Sequence, residues 1–364
     1  MQAVEKGQFP GCAYALRLRG ELVQSGGLGH AALLPKRAPA GPHTIYDLAS
    51  LTKPLCTALL CALLRERREL GLKARAAHFL PLLKGSAAGA ATIAQLLTHT
   101  AGLPSWIPLY AHGRGPIQYQ RRLATLQRES RDPSVARYSD LSYMVLGWVL
   151  EKVAGATLDR LFERLIARPL GLKATRFRPP PGWRQRCAAS EIGCRYERRR
   201  VHELGLSDRG FPRGAVRGVV HDRNAAGLGG VAGHAGLFAT AAEAALIAEQ
   251  YLPRRSRLLR PETCRLFLRP WTRRAGQHWA LAGELASCDD ARQSPPLAPN
   301  AVGLVGFTGT SAWIEPMTEA VYVLLTNRHH PLYRTESFHP FRRRFHRAAR
   351  LLQAPSSPRK FLFN

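Results

Sequence analysis

At 364 residues and 45% apolar content, the chain is long enough to bury a large core and to form two lobes. The net charge of +28 is nearly all arginine, spread through every segment; this reads as a basic surface, with a polyanion partner as the alternative. No zinc-finger spacing, basic zipper or RNP motif is present, so no specific nucleic-acid partner is expected, and the longest apolar run, near 54–64, is far too short to span a bilayer.

The N-terminal "MQAVEKGQFPG" lacks the apolar core of a signal peptide, which predicts a cytoplasmic protein unless the true start lies elsewhere. The seven cysteines agree: an odd count, with Cys56 and Cys61 inside the apolar run, reads as reduced, buried thiols. Cys187 and Cys194 match no standard zinc spacing. "CAYALRLRGELVQSGG" predicts a hairpin turning at Arg19-Gly20. Pro54 favours a first helical turn, so a helix should begin close to Ser50, and "LCTALLCALL" is apolar nearly all round, the mark of a helix through the interior. Thr92 and Gln95 have capping-box spacing. Ser139 or Asp140 caps the next helix, which Gly155 ends, and Thr157 caps another toward Ala167.

Residues 105–134 read as loop with some helix, 178–217 as a long excursion, and 284–301 as loop. Thr240 opens one more helix. "SAWIEP" and "AVYVLLTN" read as strands around a turn at Met317-Thr318. The tail is an amphipathic helix with Phe338, Phe341, Phe345 and Leu352 inward and its arginines toward water. Strands thus gather at the two ends of the chain and helices fill its middle. The expected fold is α+β: an antiparallel sheet from about 1–50 and 235–364, flanked by helices, with a mainly helical lobe inserted over about 70–230, all one domain. The site belongs in the cleft between lobes.

Ser50 and Lys53 stand three apart, on one face of a helix and within reach of each other. A serine needs a base to become a nucleophile, and lysine serves once burial lowers its pKa. With no acidic residue nearer in sequence than Asp47, the pair suggests acyl transfer through a covalent intermediate. Tyr138, just before a capped helix, is a second proton carrier, its phenol expected to be acidified by the lysine cation. His221, Asp222 and His234 lie in a glycine-rich segment and read as structural hydrogen bonders rather than metal ligands; His99, in a loop after a helix, reads as a partner for backbone groups.

"SLTKP", "LLTHTAGL", "YSDLSYMVLGWVLE", "GGVAGHAGLFATA" and "GFTGTSAWIEP…YVLLTNR", in that order, resemble serine hydrolases of the class C β-lactamase type, a family that also holds penicillin-binding proteins, D-stereospecific peptidases and esterases. The resemblance implies a β-lactamase/transpeptidase-like fold and a small ester, amide or peptide-like substrate, with no metal or cofactor. It makes Ser50 the nucleophile, Lys53 its partner and Tyr138 the second-motif general base, with Asp140 where asparagine often stands. The third motif departs. Lys-Thr-Gly or His-Thr-Gly is expected where this chain has Leu304, Val305 and Gly306. Leucine and valine can neither orient Tyr138 nor bind a substrate anion. The backbone N–H groups of Ser50 and Phe307 remain as an oxyanion hole beside Gly306. Thr308 and Thr310 are candidates for a replacement hydroxyl. The expected activity is that of an esterase or amidase with weak or no β-lactamase turnover. The alternatives are a catalytically impaired relative that keeps the cleft for binding, and a basic polyanion-binding protein.

Overall fold

Arg19 and Gly20, both at positive φ (52° and 93°), turn the chain between β1 (Gly11–Leu18) and β2 (Glu21–Ala32), as a tight hairpin requires. Two short strands follow, β3 (Ala38–Pro39) and β4 (Tyr46–Asp47). The middle of the chain contributes β5 (Arg176–Phe177), β6 (Ala189–Ile192), β7 (Ala215–Arg217) and β8 (Leu237–Ala239). Last come β9 (Trp279–Ala280), β10 (Gly283–Leu285), β11 (Val302–Val305), β12 (Ser311–Glu315) and β13 (Ala320–Thr326). The helices that matter most for core and site are α1 (Leu59–Glu66), α2 (Ile93–Leu97), α3 (Asp140–Ala154), α4 (Ala241–Glu249) and α5 (His339–Leu351). This computed structural model describes residues 4, 7–130, 132, 135–207, 210–272, 278–287 and 296–352.

The main sheet has eight antiparallel strands in the order β3-β2-β1-β13-β12-β11-β10-β9. The two ends of the chain therefore meet at its centre, with Cys12 opposite Thr326 and Leu18 opposite Ala320. Alternation along the strands assigns each face. Ala13, Ala15, Val321, Val323 and Leu325 join the larger core, which α4 covers with Ala241, Ala244, Ala245 and Ala248. Cys12, Tyr14, Leu16, Tyr322 and Leu324 point the other way, under Phe338, Phe345 and Ala349 of the α5 region. α1 runs through the larger core, its residues Leu59 to Leu64 all buried. A three-stranded sheet, β4-β8-β5, and the β6-β7 pair lie outside the main sheet. The fold is thus the expected α+β arrangement of an antiparallel sheet flanked by helices.

Several local expectations change. The helix near Ser50 opens as a tight turn over Ala49–Leu51, widens to five-residue hydrogen bonding over Lys53–Ala58, and only then becomes α1. Such wide turns are frequent at functional sites. The excursion over 178–217 contains a helix (Arg195–Glu203) besides β6 and β7. The start of 284–301 is not loop: Glu284 and Leu285 pair with Gly303 and Val302. The Thr157 helix breaks at Phe162 into wide turns over Glu163–Ala167, and Thr157 makes no side-chain cap bond. Ser139 rather than Asp140 caps α3, and Gly155 ends it in the left-handed conformation. The Thr92–Gln95 capping box forms as expected. The six described cysteines are free and buried; Cys288 lies outside the described residues. No described helix is long and apolar enough to cross a membrane.

Candidate active site

Ser50 is held out by the backbone that precedes it. The Asp47 carboxylate accepts the Ala49 N–H at 2.9 Å and the His221 N–H at 2.8 Å, fastening the end of β4 to the 221 turn. Ala49 sits at φ 48°, a left-handed conformation that costs a non-glycine residue about 1–2 kcal/mol. Strain of this kind persists where surrounding contacts enforce it, commonly beside a functional group.

Lys53, one turn on, is fully buried, and its Nζ donates to Ser50 Oγ at 3.0 Å, Asp140 Oδ1 at 2.7 Å and the His234 carbonyl at 3.2 Å. Tyr138 donates its phenolic O–H to the same Ser50 Oγ at 2.6 Å. Ser139 frees Asp140 for this role by doing the capping itself: its Oγ accepts the Ser142 N–H at 3.3 Å and donates to the Pro104 carbonyl at 2.6 Å. Behind Tyr138, His99 takes the Ser139 N–H on Nδ1 at 3.0 Å and lies against the Tyr138 ring, 4.8 Å between centroids. Burial, then the Lys53 cation, holds His99 well below the usual histidine value, so it is neutral and free to accept. The loop histidine thus serves the backbone as expected, while also backing the tyrosine.

The electrostatics agree with one expectation and correct another. Lys53 does have a carboxylate partner, supplied from far along the chain by Asp140. Burial still wins and draws the Lys53 ammonium below its ordinary pKa, with Asp140 opposing. Tyr138 is not acidified. Burial first, then the Asp140 charge, raises its phenol well above the usual tyrosine value. The resting tyrosine is neutral, a donor to Ser50 rather than an anionic base.

The departed third motif ends β11. Leu304 pairs with Ala312, Val305 with Ser311, and the turn returns through Gly306, whose N–H donates to the Thr310 carbonyl at 2.8 Å. Thr308 and Thr310 do not replace the missing hydroxyl: Oγ1 of each donates, at 3.3 Å, to the carbonyls of Asp47 and Leu48 respectively. They tie the turn to the approach to Ser50. The N–H groups of Ser50 and Phe307 donate to no protein acceptor among the described residues, as an oxyanion hole requires.

Ser50 lines two cavities. The smaller, about 170 Å³, includes Asp47, Trp106, Tyr196, Glu197, Asp222 and Phe307. Burial, then Asp222, pushes the Glu197 carboxyl up to about 8. Asp222 accepts from His234 at 2.9 Å and caps the helix at Arg223–Gly227, while His221 meets Glu191 at 3.2 Å, so this group is hydrogen-bonded internally. The larger cavity, about 620 Å³, includes Tyr138, Trp279, Leu304, Val305, Arg328 and Arg342. The sequence singled out Ser50, Lys53, Tyr138, Asp140, Gly306 and Phe307, and the structure gathers them around this cleft. It missed the walls. Trp106, Tyr196 and Glu197 come from the segments 105–134 and 178–217. Arg342, expected to face water, is buried; its spacing from Phe338 and Phe345, four and three residues, was the available signal.

The Beta-lactamase family model matches residues 1–339. A putative D-alanyl-D-alanine carboxypeptidase of Escherichia coli (strain K12) is 31% identical over 332 residues, 82% of this chain and 73% of the relative. An N-acetylmuramyl-L-alanine amidase of Bacillus subtilis (strain 168) is 28% identical, over 88% of this chain and 78% of the relative. Among solved structures, the hydrolase EstCE1, described as having promiscuous acyltransferase activity, superposes with TM-score 0.72 at 23% identity, covering 96% of this chain and 95% of its own. A class C β-lactamase from Rhodobacter sphaeroides gives TM-score 0.72 at 19% identity, covering 96% and 97%. On the extent of the family match and of the E. coli relative, this chain belongs to the Beta-lactamase family, as a serine hydrolase of peptidase- or esterase-like kind.

Proposed function

We propose that the chain hydrolyses esters or amides through an acyl-enzyme on Ser50. The observation that carries this reading is the double contact on Ser50 Oγ, from Lys53 at 3.0 Å and Tyr138 at 2.6 Å, at the junction of two cavities. Neutral Lys53 takes the Ser50 proton as Oγ attacks the carbonyl carbon. The developing oxyanion is received by the Ser50 and Phe307 N–H groups. As the bond to the leaving oxygen or nitrogen breaks, Tyr138 gives that atom its proton and recovers one from Lys53. Water then attacks the acyl group, giving a proton to the Lys53–Tyr138 pair; as the bond to Ser50 Oγ breaks, the pair hands that proton to Oγ, and the free acid leaves. The expectation that Tyr138 acts as general base is thereby refined: protonated at rest, it donates first and accepts only in the return step.

Turnover of β-lactams should be weak, because β11 presents Leu304 and Val305 where a cation and a hydroxyl would meet the ring carboxylate. The carboxypeptidase and amidase named among the relatives favour a peptide-like amide over a simple ester as the natural substrate. The test compares wild type, Ser50→Ala and Lys53→Ala for fluorophosphonate labelling and for hydrolysis of short-chain chromogenic esters. Labelling and turnover should vanish in Ser50→Ala and drop steeply in Lys53→Ala. Equal behaviour of wild type and Ser50→Ala refutes the reading and leaves a cleft used for binding only.

A further inference from the structure

The net charge of +28 is the feature of the sequence that acyl transfer leaves unused, and one hollow gathers it with little to offset it. This hollow, of about 510 Å³, lies along the helix that follows Thr157 and beside β5. Arg160, Arg164, Arg168 and Arg176 line it, and all four are exposed. Among the described residues none of the four makes an ion pair or a side-chain hydrogen bond. Two carboxylates share the hollow. Asp159 is taken by Arg178, which does not line it, so Glu163 alone is left to face four cations. Arg176 is steadied by a ring: its guanidinium and that of Arg186 lie 5.4 and 4.5 Å from the centre of Trp183.

An exposed arginine is at ease in water, so the telling observation is the convergence of four. Arg160, Arg164 and Arg168 follow one another at four-residue steps, roughly 6 Å each at the helical rise and inside the screening length of about 8 Å. A second basic hollow, of about 860 Å³, shows the self-sufficient alternative: there Arg254 and Arg255 share Glu319. A row of cations suits a linear anion, since one small ion would meet only part of it. A nucleic acid also needs rings on which to stack its bases. The rings lining the hollow are Phe162 and Phe177, 1% and 5% exposed, and Trp183 nearby already carries two guanidiniums. A bilayer needs apolar side chains to insert, and none of the exposed large apolar side chains lines this concave surface.

We propose that this hollow is a binding site for linear polyphosphate, a chain of phosphates without bases or lipid, whose oxygens the guanidiniums of Arg160, Arg164, Arg168 and Arg176 take in turn. Guanidinium is the side-chain group best matched to phosphate, offering paired N–H donors in one plane. The site is separate from the Ser50 cleft, since no residue lines both. Its occupation leaves Ser50 open, so a polyanion can hold the protein while the cleft turns over. The inference does not depend on the acyl-enzyme reading.

The experiment follows binding of end-labelled polyphosphate by fluorescence anisotropy as salt rises from about 50 to 200 mM. Four contacts at about 0.7 each, the single-strand value, give a slope of log K on log salt near −2.8, roughly a fiftyfold loss over that range. The triple variant Arg160→Gln, Arg164→Gln, Arg168→Gln should bind at least tenfold more weakly at the lower salt and lose about two units of slope. Lysine at the same three positions should keep most of the slope. A control triple, Arg67→Gln, Arg344→Gln, Arg347→Gln, removes equal charge from exposed arginines elsewhere and should bind nearly as wild type does. Thermal unfolding checks that each variant folds; if the first triple does not, Arg164→Gln alone should lose about 0.7 of slope. Equal losses in the two triples, or no binding by wild type at the lower salt, overturn the site. Single-stranded DNA or phosphatidylglycerol vesicles binding as tightly at equal phosphate concentration overturn the choice of ligand. Ser50→Ala should bind polyphosphate as wild type does, even if neither protein cleaves an ester; loss of binding there would place the polyanion in the cleft and overturn the proposal.

Discussion

Replacing Asp140 by asparagine separates the charge of this residue from its shape. The carboxylate sits 2.7 Å from Lys53 Nζ and opposes the burial that draws the lysine pKa down. It also helps raise the Tyr138 phenol. Asparagine keeps the volume and a hydrogen-bonding oxygen but removes the charge. A hydrogen bond to a charged group is worth about 1.5–3 kcal/mol. At about 1.4 kcal/mol per unit, its loss moves the Lys53 pKa down by roughly one to two units. The acid limb of kcat/KM reports loss of neutral Lys53, so it should shift to lower pH by that amount. The alkaline limb reports loss of the Tyr138 proton, and it should shift in the same direction, since the phenol no longer faces an anion. The whole bell therefore moves acidward. The assay is the pH dependence of kcat/KM for a chromogenic ester in wild type and Asp140→Asn, with thermal unfolding to confirm that the variant folds. An acid limb that stays put or moves upward refutes the assignment of Lys53 as the group whose neutral form starts the reaction.

Two more outcomes follow from the same geometry. A Cβ on Gly306 would lie 2.1 Å from Thr310 Oγ1 and 3.0 Å from the Leu48 carbonyl, so Gly306→Ala should lower stability by about 1–3 kcal/mol in denaturant titration. It should also lower kcat/KM by at least tenfold, since the turn carries the Phe307 N–H; full activity would remove Phe307 from the oxyanion hole. Glu197 has a folded pKa raised from 4.5 to about 8, so its contribution to stability is complete below the unfolded value and is lost as pH climbs toward the folded one. Wild type should lose up to about 1.4 kcal/mol per pH unit across that window from this group, and Glu197→Gln should lose less; identical pH profiles in urea denaturation would contradict the burial argument.

Much of this arrangement was legible in the residues because it depends on local pattern. Short β-prone runs around turn residues announced β1, β12 and β13, and the all-apolar run announced the interior helix that follows Lys53. Capping chemistry placed Tyr138 and Asp140 at the head of α3. What stayed hidden depends on distant contacts. No local signal says that Asp140 will find Lys53 across 87 positions of chain. The sign of the Tyr138 shift was misjudged because sequence proximity shows neither how deeply the ring is buried nor which charge lies against it. Arg342 was read as solvated because it stands in an arginine-rich stretch, although it shares the helical face of Phe338 and Phe345. Thr308 and Thr310 looked like spare hydroxyls until the turn was seen to spend them on the carbonyls of Asp47 and Leu48.

The pairing of β1 with β13 also sets a schedule for synthesis. The strand destined for the middle of the sheet is made before the other described strands, and its neighbour on one side after them. Until then β1 and β2 present an unpaired edge and one uncovered apolar face, the kind of surface that invites aggregation. Ser50 and Lys53 precede that neighbour too, but the turn beside them arrives only with β11 and β12. A nascent chain should therefore depend on holding factors and stay inert until β11 and β12 have been made, so that the nucleophile is armed only once its cleft has closed around it.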